Sequence, residues 1–208
     1  MQSLSIKDVA PLCKQIASEY EGWSYVAEHF KYPIDKHSTL FIEPLWSHHI
    51  SAQPVVVLTN KKTAKLEKQA LSDAPGWQSG LCWVSIKDIL APDATSDTQI
   101  YRKLVHNLTD AEVYIRDFFT RGLGLIEQYY CYTDEQELLT KMPAGLEGNN
   151  GVDYCLSRVV LHDFDFAYRY VNDEIKTRCP KHPWVERIKP FIPIWEENYK
   201  TTGSVFGK

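Results

Sequence analysis

Apolar residues recur every three or four positions through residues 97–142. Ile100, Leu104, Leu108, Ala111, Ile115, Phe118, Leu125 and Tyr129 fall on one stripe of a helix that faces a core. A single helix over 97–130 would run roughly 50 Å, at about 1.5 Å per residue, against a radius of gyration of about 17 Å for a compact chain of this length. A break is therefore expected. Thr109 with Glu112 has the spacing of a capping box, which predicts two helices meeting near Thr109, while Gly122 and Gly124 mark a second weak point. Residues 133–142 restart a helix with Thr133 as cap and Gln136 at the box position, and Pro143 stops it.

Upstream of this spine the pattern differs. Residues 5–20 carry Val9, Leu12, Cys13, Ile16 and Ala17 at helical spacing, with Ser5 and Asp8 as a cap. From Gly22 the chain alternates, and Trp23, Tyr25 and Ala27 begin a run that closes at Tyr32-Pro33. Residues 38–42, 54–59 and 81–86 read as further strands, that at 54–59 apolar on both faces at Val55-Val56-Val57-Leu58. A short Lys-rich helix with Thr63 as cap fills 63–71. Strands early and helices late predict an α+β fold: a mostly antiparallel sheet of about four strands with flanking helices in residues 1–92, then a helical region in 97–208, packed as one globular unit across the junction 92–96. Within the helical region, 152–161 and 165–175 form a helical hairpin. Pro193 interrupts a last helix over 184–199, and residues 201–208 form a loose tail.

Composition narrows the classes. With 208 residues, 44% apolar and 12% aromatic, the chain has ample material for a core, and a net charge of −4 argues against a general nucleic-acid or anionic-membrane binder. The charge is uneven. Residues 109–175 hold thirteen Asp and Glu against five Lys and Arg, a local −8, which predicts an acidic helical face able to steer a basic protein partner. Asp110, Glu112, Asp117, Asp134, Glu135 and Glu137 are its candidate contacts. Five widely spaced cysteines without a CxxC pair point to reduced, mostly buried thiols; with no signal-peptide pattern and no long apolar run, the expected compartment is the cytoplasm.

Candidate chemistry is sparse, and no motif implies a cofactor. His162-Asp163, with His106 upstream, offers the types of ligand used by metal-dependent hydrolases, but Asp165 is explained equally by a cap at the hairpin turn. Cys179 and His182 have the spacing of half a zinc site whose other half is missing; His48 and His49 are the other local concentration of histidine. There is no nucleophile elbow, and the glycines of 145–151 lack the Lys and Ser/Thr of a phosphate loop.

The order of an α+β front half, the 111–142 helix leading into Thr133-Asp-Glu-Gln-Glu-Leu-Leu, the hairpin Tyr154-Cys-Leu-Ser-Arg-Val-Val-Leu-His-Asp-Phe-Asp-Phe-Ala167 and the stretch Gly22-Trp-Ser-Tyr-Val-Ala27 resembles bacterial domains of unknown function that occur as immunity proteins beside secreted toxins. That resemblance implies a cytoplasmic, non-catalytic binder that blocks a cognate toxin, with the acidic helical surface or the aromatic sheet region of Trp23, Tyr25, Trp46, Trp77 and Trp83 as the contact face. The alternative reading of the residues is a small metal-dependent hydrolase built on His162 and Asp163.

Overall fold

The computed structural model describes residues 4–44, 50–51, 54–72, 82–85, 102–103, 105–129, 135–140, 151–175 and 184–207. In chain order they form α1 (Ile6–Ser18), β1 (Ser24–Val26), β2 (His29–Pro33), β3 (Ser38–Pro44), β4 (Ile50–Ser51), β5 (Pro54–Asn60), α2 (Lys61–Leu71), β6 (Cys82–Ser85), β7 (Arg102–Lys103), α3 (Leu108–Tyr129), α4 (Glu135–Thr140), α5 (Gly151–Val160), α6 (Phe164–Val171), α7 (Val185–Ile188), a 3₁₀ turn (Lys189–Phe191) and α8 (Ile192–Thr202). The fold is α+β. One sheet has the order β1-β2-β3-β5-β6, and β4 pairs with β7 in a separate ladder. β1, β2 and β3 are antiparallel, with Tyr25 opposite Phe30 and Phe30 opposite Ile42.

The chain divides into two compact units that interleave along the sequence, Met1–Leu58 with Trp83–Gln128 and Thr59–Cys82 with Tyr129–Lys208. The expected junction at 92–96 lies outside the described residues. Thus α3 belongs with the sheet, and α2 belongs with the later helices.

In the sheet-bearing unit α3 lies against the strands. The ring of Phe119 sits 4.5 Å from Phe30, 5.1 Å from Trp23 and 5.0 Å from Tyr20, the last two edge-on. Gly122 does not break the helix. A Cβ there would lie 2.6 Å from Cγ2 of Ile42, so glycine is what lets helix and strand approach this closely. The β1–β2 turn is Ala27-Glu28, both at positive φ (51° and 71°), as a two-residue type I′ turn demands. Neither residue is the Asn or Gly that normally signals such a turn, which is why the sequence pattern ran on to Tyr32-Pro33.

Two expectations about the spine are corrected. Residues 102–103 are strand and 105–107 are non-helical, so no helix fills 102–107. The long helix begins at Leu108 with Asn107 as its cap: Oδ1 of Asn107 accepts from the Asp110 N–H at 2.9 Å, and Nδ2 donates to the Asp110 carboxylate at 2.8 Å. Asn107 and Asp110 perform the reciprocal capping that the spacing assigned to Thr109 and Glu112, because Asx side chains cap at least as well as Thr. The same competition moves the cap of α2 from Thr63 to Asn60, which accepts from the N–H groups of Lys62 and Thr63.

The helical unit buries Leu66, Leu71, Leu156, Val159, Tyr170, Ile188, Ile192 and Trp195 in one cluster. Nε1 of Trp195 donates to Gln69 at 2.8 Å, giving the buried indole its partner. The α5–α6 hairpin forms as its periodicity predicts. The last helix breaks earlier than expected, at the 3₁₀ turn containing Pro190, and Pro193 opens α8, where its missing N–H is not needed. The segment after α8 is not loose. Val205 is buried, its carbonyl accepts from Asn198 at 3.2 Å, and Nζ of Lys65 lies 4.2 Å from the Phe206 ring centroid.

Candidate functional site

Two helix N-termini shape a groove in the sheet-bearing unit. At α1, the Ser5 N–H and hydroxyl both donate to Oδ2 of Asp8, at 2.7 and 2.6 Å. These bonds hold the Asp8 carboxyl below its usual range, so it stays ionised. At α3 the cap is Asn107 with Asp110. Between them lies a groove of about 380 Å³ with apolar lining from Pro11, Leu12 and Leu108 and polar lining from Asp8, Gln15, Thr109 and Glu112. Leu108 is 55% exposed.

Glu112 is held from one side only. Its Oε1 accepts from Nε of Arg116 at 2.9 Å, while the two terminal nitrogens of Arg116 donate to Glu19, just past the end of α1, at 2.6 and 2.8 Å. The bidentate pair depresses Glu19 and raises Arg116. One guanidinium thus serves two carboxylates.

The predicted acidic contacts are divided between the two units. On α3, at about 100° per residue, Asp110 and Asp117 share a face and Glu112 points well away from both. Asp117 is paired with Arg121 at 2.8 Å. Glu135 and Glu137 lie on α4 in the helical unit; Glu135 accepts from Lys62 at 2.6 Å and from Asn60 at 3.3 Å. Asp134 lies outside the described residues.

Of the candidate metal ligands, His162 and Asp163 have structural roles. His106 is exposed, ahead of α3, in the sheet-bearing unit. In the helical unit His162 takes φ 64° and Asp163 donates its N–H to the Arg158 carbonyl at 2.9 Å while His162 donates to Val159 at 3.0 Å. This is a Schellman stop for α5 with histidine where glycine is usual. The His162 ring stacks on Tyr199 at 3.8 Å, and burial, then the charge of Lys62, lowers its pKa. Asp163 is the cap of α6, accepting from the Phe166 N–H at 3.1 Å, and Arg158 lies 3.6 Å from its carboxylate. The cap is Asp163 and not Asp165, which is exposed and 3.7 Å from Arg169. Among the described residues no three His, Cys, Asp or Glu side chains are grouped to hold a metal ion. Cys179, His182, His48 and His49 lie outside the described residues. Cys13 and Cys155 are buried thiols outside any disulfide, and burial raises Cys13 to about 12, far from a reactive thiolate.

The groove itself escaped sequence reasoning. Leu108 fitted the core stripe, but as the first residue of α3 its side chain falls short of the core and lines the groove instead. A signal was present in Pro11, Leu12 and Gln15, which continue from Asp8 at helical spacing on a side of α1 away from Val9, Cys13 and Ile16.

No protein family, curated protein or solved structure matches the chain. Among the described residues no helix is long and apolar enough to cross a membrane.

Proposed function

We propose that this is a non-catalytic binding protein of the immunity type, which neutralises a basic protein toxin by docking it on the groove between α1 and the start of α3. The observation that carries the reading is the lining. Among the described residues of the lining, three apolar side chains, with Leu108 more than half exposed, lie beside two carboxylates and no cation, a combination suited to a partner that presents both aliphatic and basic groups. Of the predicted acidic contacts among the described residues, Glu112 lines this groove, which supports the reading. His162 and Asp163 are engaged in helix termination, which favours binding over metal-assisted hydrolysis.

The test compares three tagged full-length chains on lysate of the cell that makes them: wild type, Leu108→Lys in the groove, and Val26→Lys on the β1–β2 hairpin, where the side chain is 54% exposed. Wild type and Val26→Lys are expected to retain the same stoichiometric partner and Leu108→Lys to lose it at unchanged melting temperature. Equal retention by Leu108→Lys would overturn the groove as the docking site.

A further inference from the structure

Resting on that docking reading, we infer that the groove takes an extended segment of the partner in which a lysine or arginine sits beside an aliphatic residue. The charge argument comes first. Both hydrogen bonds on Asp8 fall on Oδ2 and the one on Glu112 falls on Oε1, so each carboxylate has a second oxygen with no partner among the described residues. Arg116 divides one positive charge between Glu112, through Nε, and Glu19, through its two terminal nitrogens, so the three groups together keep a net negative charge. Lys7 and Lys14 of α1 lie off the stripe 8, 11, 12, 15 that lines the groove.

Two helix N-termini, each equivalent to about +0.5 charge, also end here and would ordinarily invite an anion. Each is already matched by a carboxylate of its own first turn, Asp8 at α1 and Asp110 at α3. With Glu112 added and no cation among the described lining residues, the surplus is negative. A cation is the complementary guest.

Size and polarity set the rest. A volume of about 380 Å³ is near the low end of the range of about 300–1,000 Å³ typical of ligand pockets, enough for a few side chains and too small for a folded element. Pro11, Leu12 and Leu108 ask for aliphatic contact next to the charge. A lysine or arginine stem supplies some of it, and a neighbouring aliphatic side chain supplies more.

The probe is the peptide acetyl-Ile-Arg-Leu-Lys-amide, with acetyl-Ile-Gln-Leu-Gln-amide as its neutral twin, each titrated into the ¹⁵N-labelled full chain and followed through the backbone amides of Gln15, Thr109 and Glu112. The basic peptide is expected to shift these amides with Kd about tenfold below that of the neutral one. Glu112→Gln should weaken it about fivefold and raised salt should weaken it further, whereas Asp117→Asn, on another face of α3 and paired with Arg121, should not weaken it. Equal binding of the two peptides, or indifference to Glu112→Gln, overturns the cationic guest. So does the absence of groove shifts with both peptides. None of these outcomes bears on whether Leu108→Lys loses the protein partner, so the docking reading and the chemistry of its guest fail separately.

Discussion

In the sheet-bearing unit Phe119 gathers Tyr20, Trp23 and Phe30 around one ring, and the two groove carboxylates, Asp8 and Glu112, are each bound through one oxygen. In the helical unit the groups that looked most chemical are used up. His162 ends α5 and stacks on Tyr199, Asp163 starts α6, and Glu135 takes both Lys62 and Asn60. Residue type and spacing therefore mislead here: a His-Asp pair is exhausted by helix geometry, while two unremarkable carboxylates beside an exposed leucine keep free valence.

The largest expected effect tests whether the two cores are energetically separate. Phe119→Ala should destabilise the sheet-bearing unit by about 3–5 kcal/mol. Hydrogen exchange should then quicken in β1–β3 and stay slow in α5–α8. Equal loss of protection in both would show that the units unfold as one block.

Next, the two glycines of α3 should respond with opposite sign. At Gly124 an added Cβ meets nothing within 4 Å, so Gly124→Ala should stabilise by up to about 1 kcal/mol. At Gly122 the clash with Ile42 opposes the same gain, and overpacking of about 1–3 kcal/mol leaves a net loss on chemical denaturation.

On the helical side, Asp163→Ala should cost about 1 kcal/mol as the loss of a helix cap. A larger loss, accompanied by release of a bound metal ion, would return Asp163 to the list of ligands. Replacing Ala27-Glu28 by Asn-Gly should stabilise the hairpin by about 1 kcal/mol, since both positions hold positive φ.

The smallest effect is a pH dependence. Burial and Lys62 lower the His162 pKa from its ordinary 6.5, so the unfolded imidazole takes a proton at a pH where the folded one does not. The resulting stability is complete above about pH 6.5 and declines as the pH falls through the lowered value. His162→Asn, which tolerates positive φ, should flatten melting temperature between pH 7 and 5 relative to wild type.

Much of this fold was legible. The periodicity of 5–20, 152–161 and 165–175 and the strands at 38–42 and 54–59 correspond to α1, α5, α6, β3 and β5, because their apolar spacing matches the faces they bury. Capping was less so. Asn107 and Asn60 outcompeted Thr109 and Thr63, a choice among near-equal acceptors that spacing does not decide. The turns at Ala27-Glu28 and at His162 were illegible in detail because their residues lack the usual Asn or Gly signal. The groove was hidden for a different reason: it depends on where α3 starts, and moving that start onto Leu108 turns a core residue into a lining one.

Ala27, Glu28, His162 and Asp173 all sit at positive φ in side-chain-bearing residues. Each is a position where mutation has an accessible stabilising step, to glycine or asparagine, that this chain has not taken. Drift should therefore show at these four sites first: related sequences are expected to carry Gly or Asn there more often than at neighbouring surface positions, and chains that do can absorb more change at the groove before they fall below the threshold for folding.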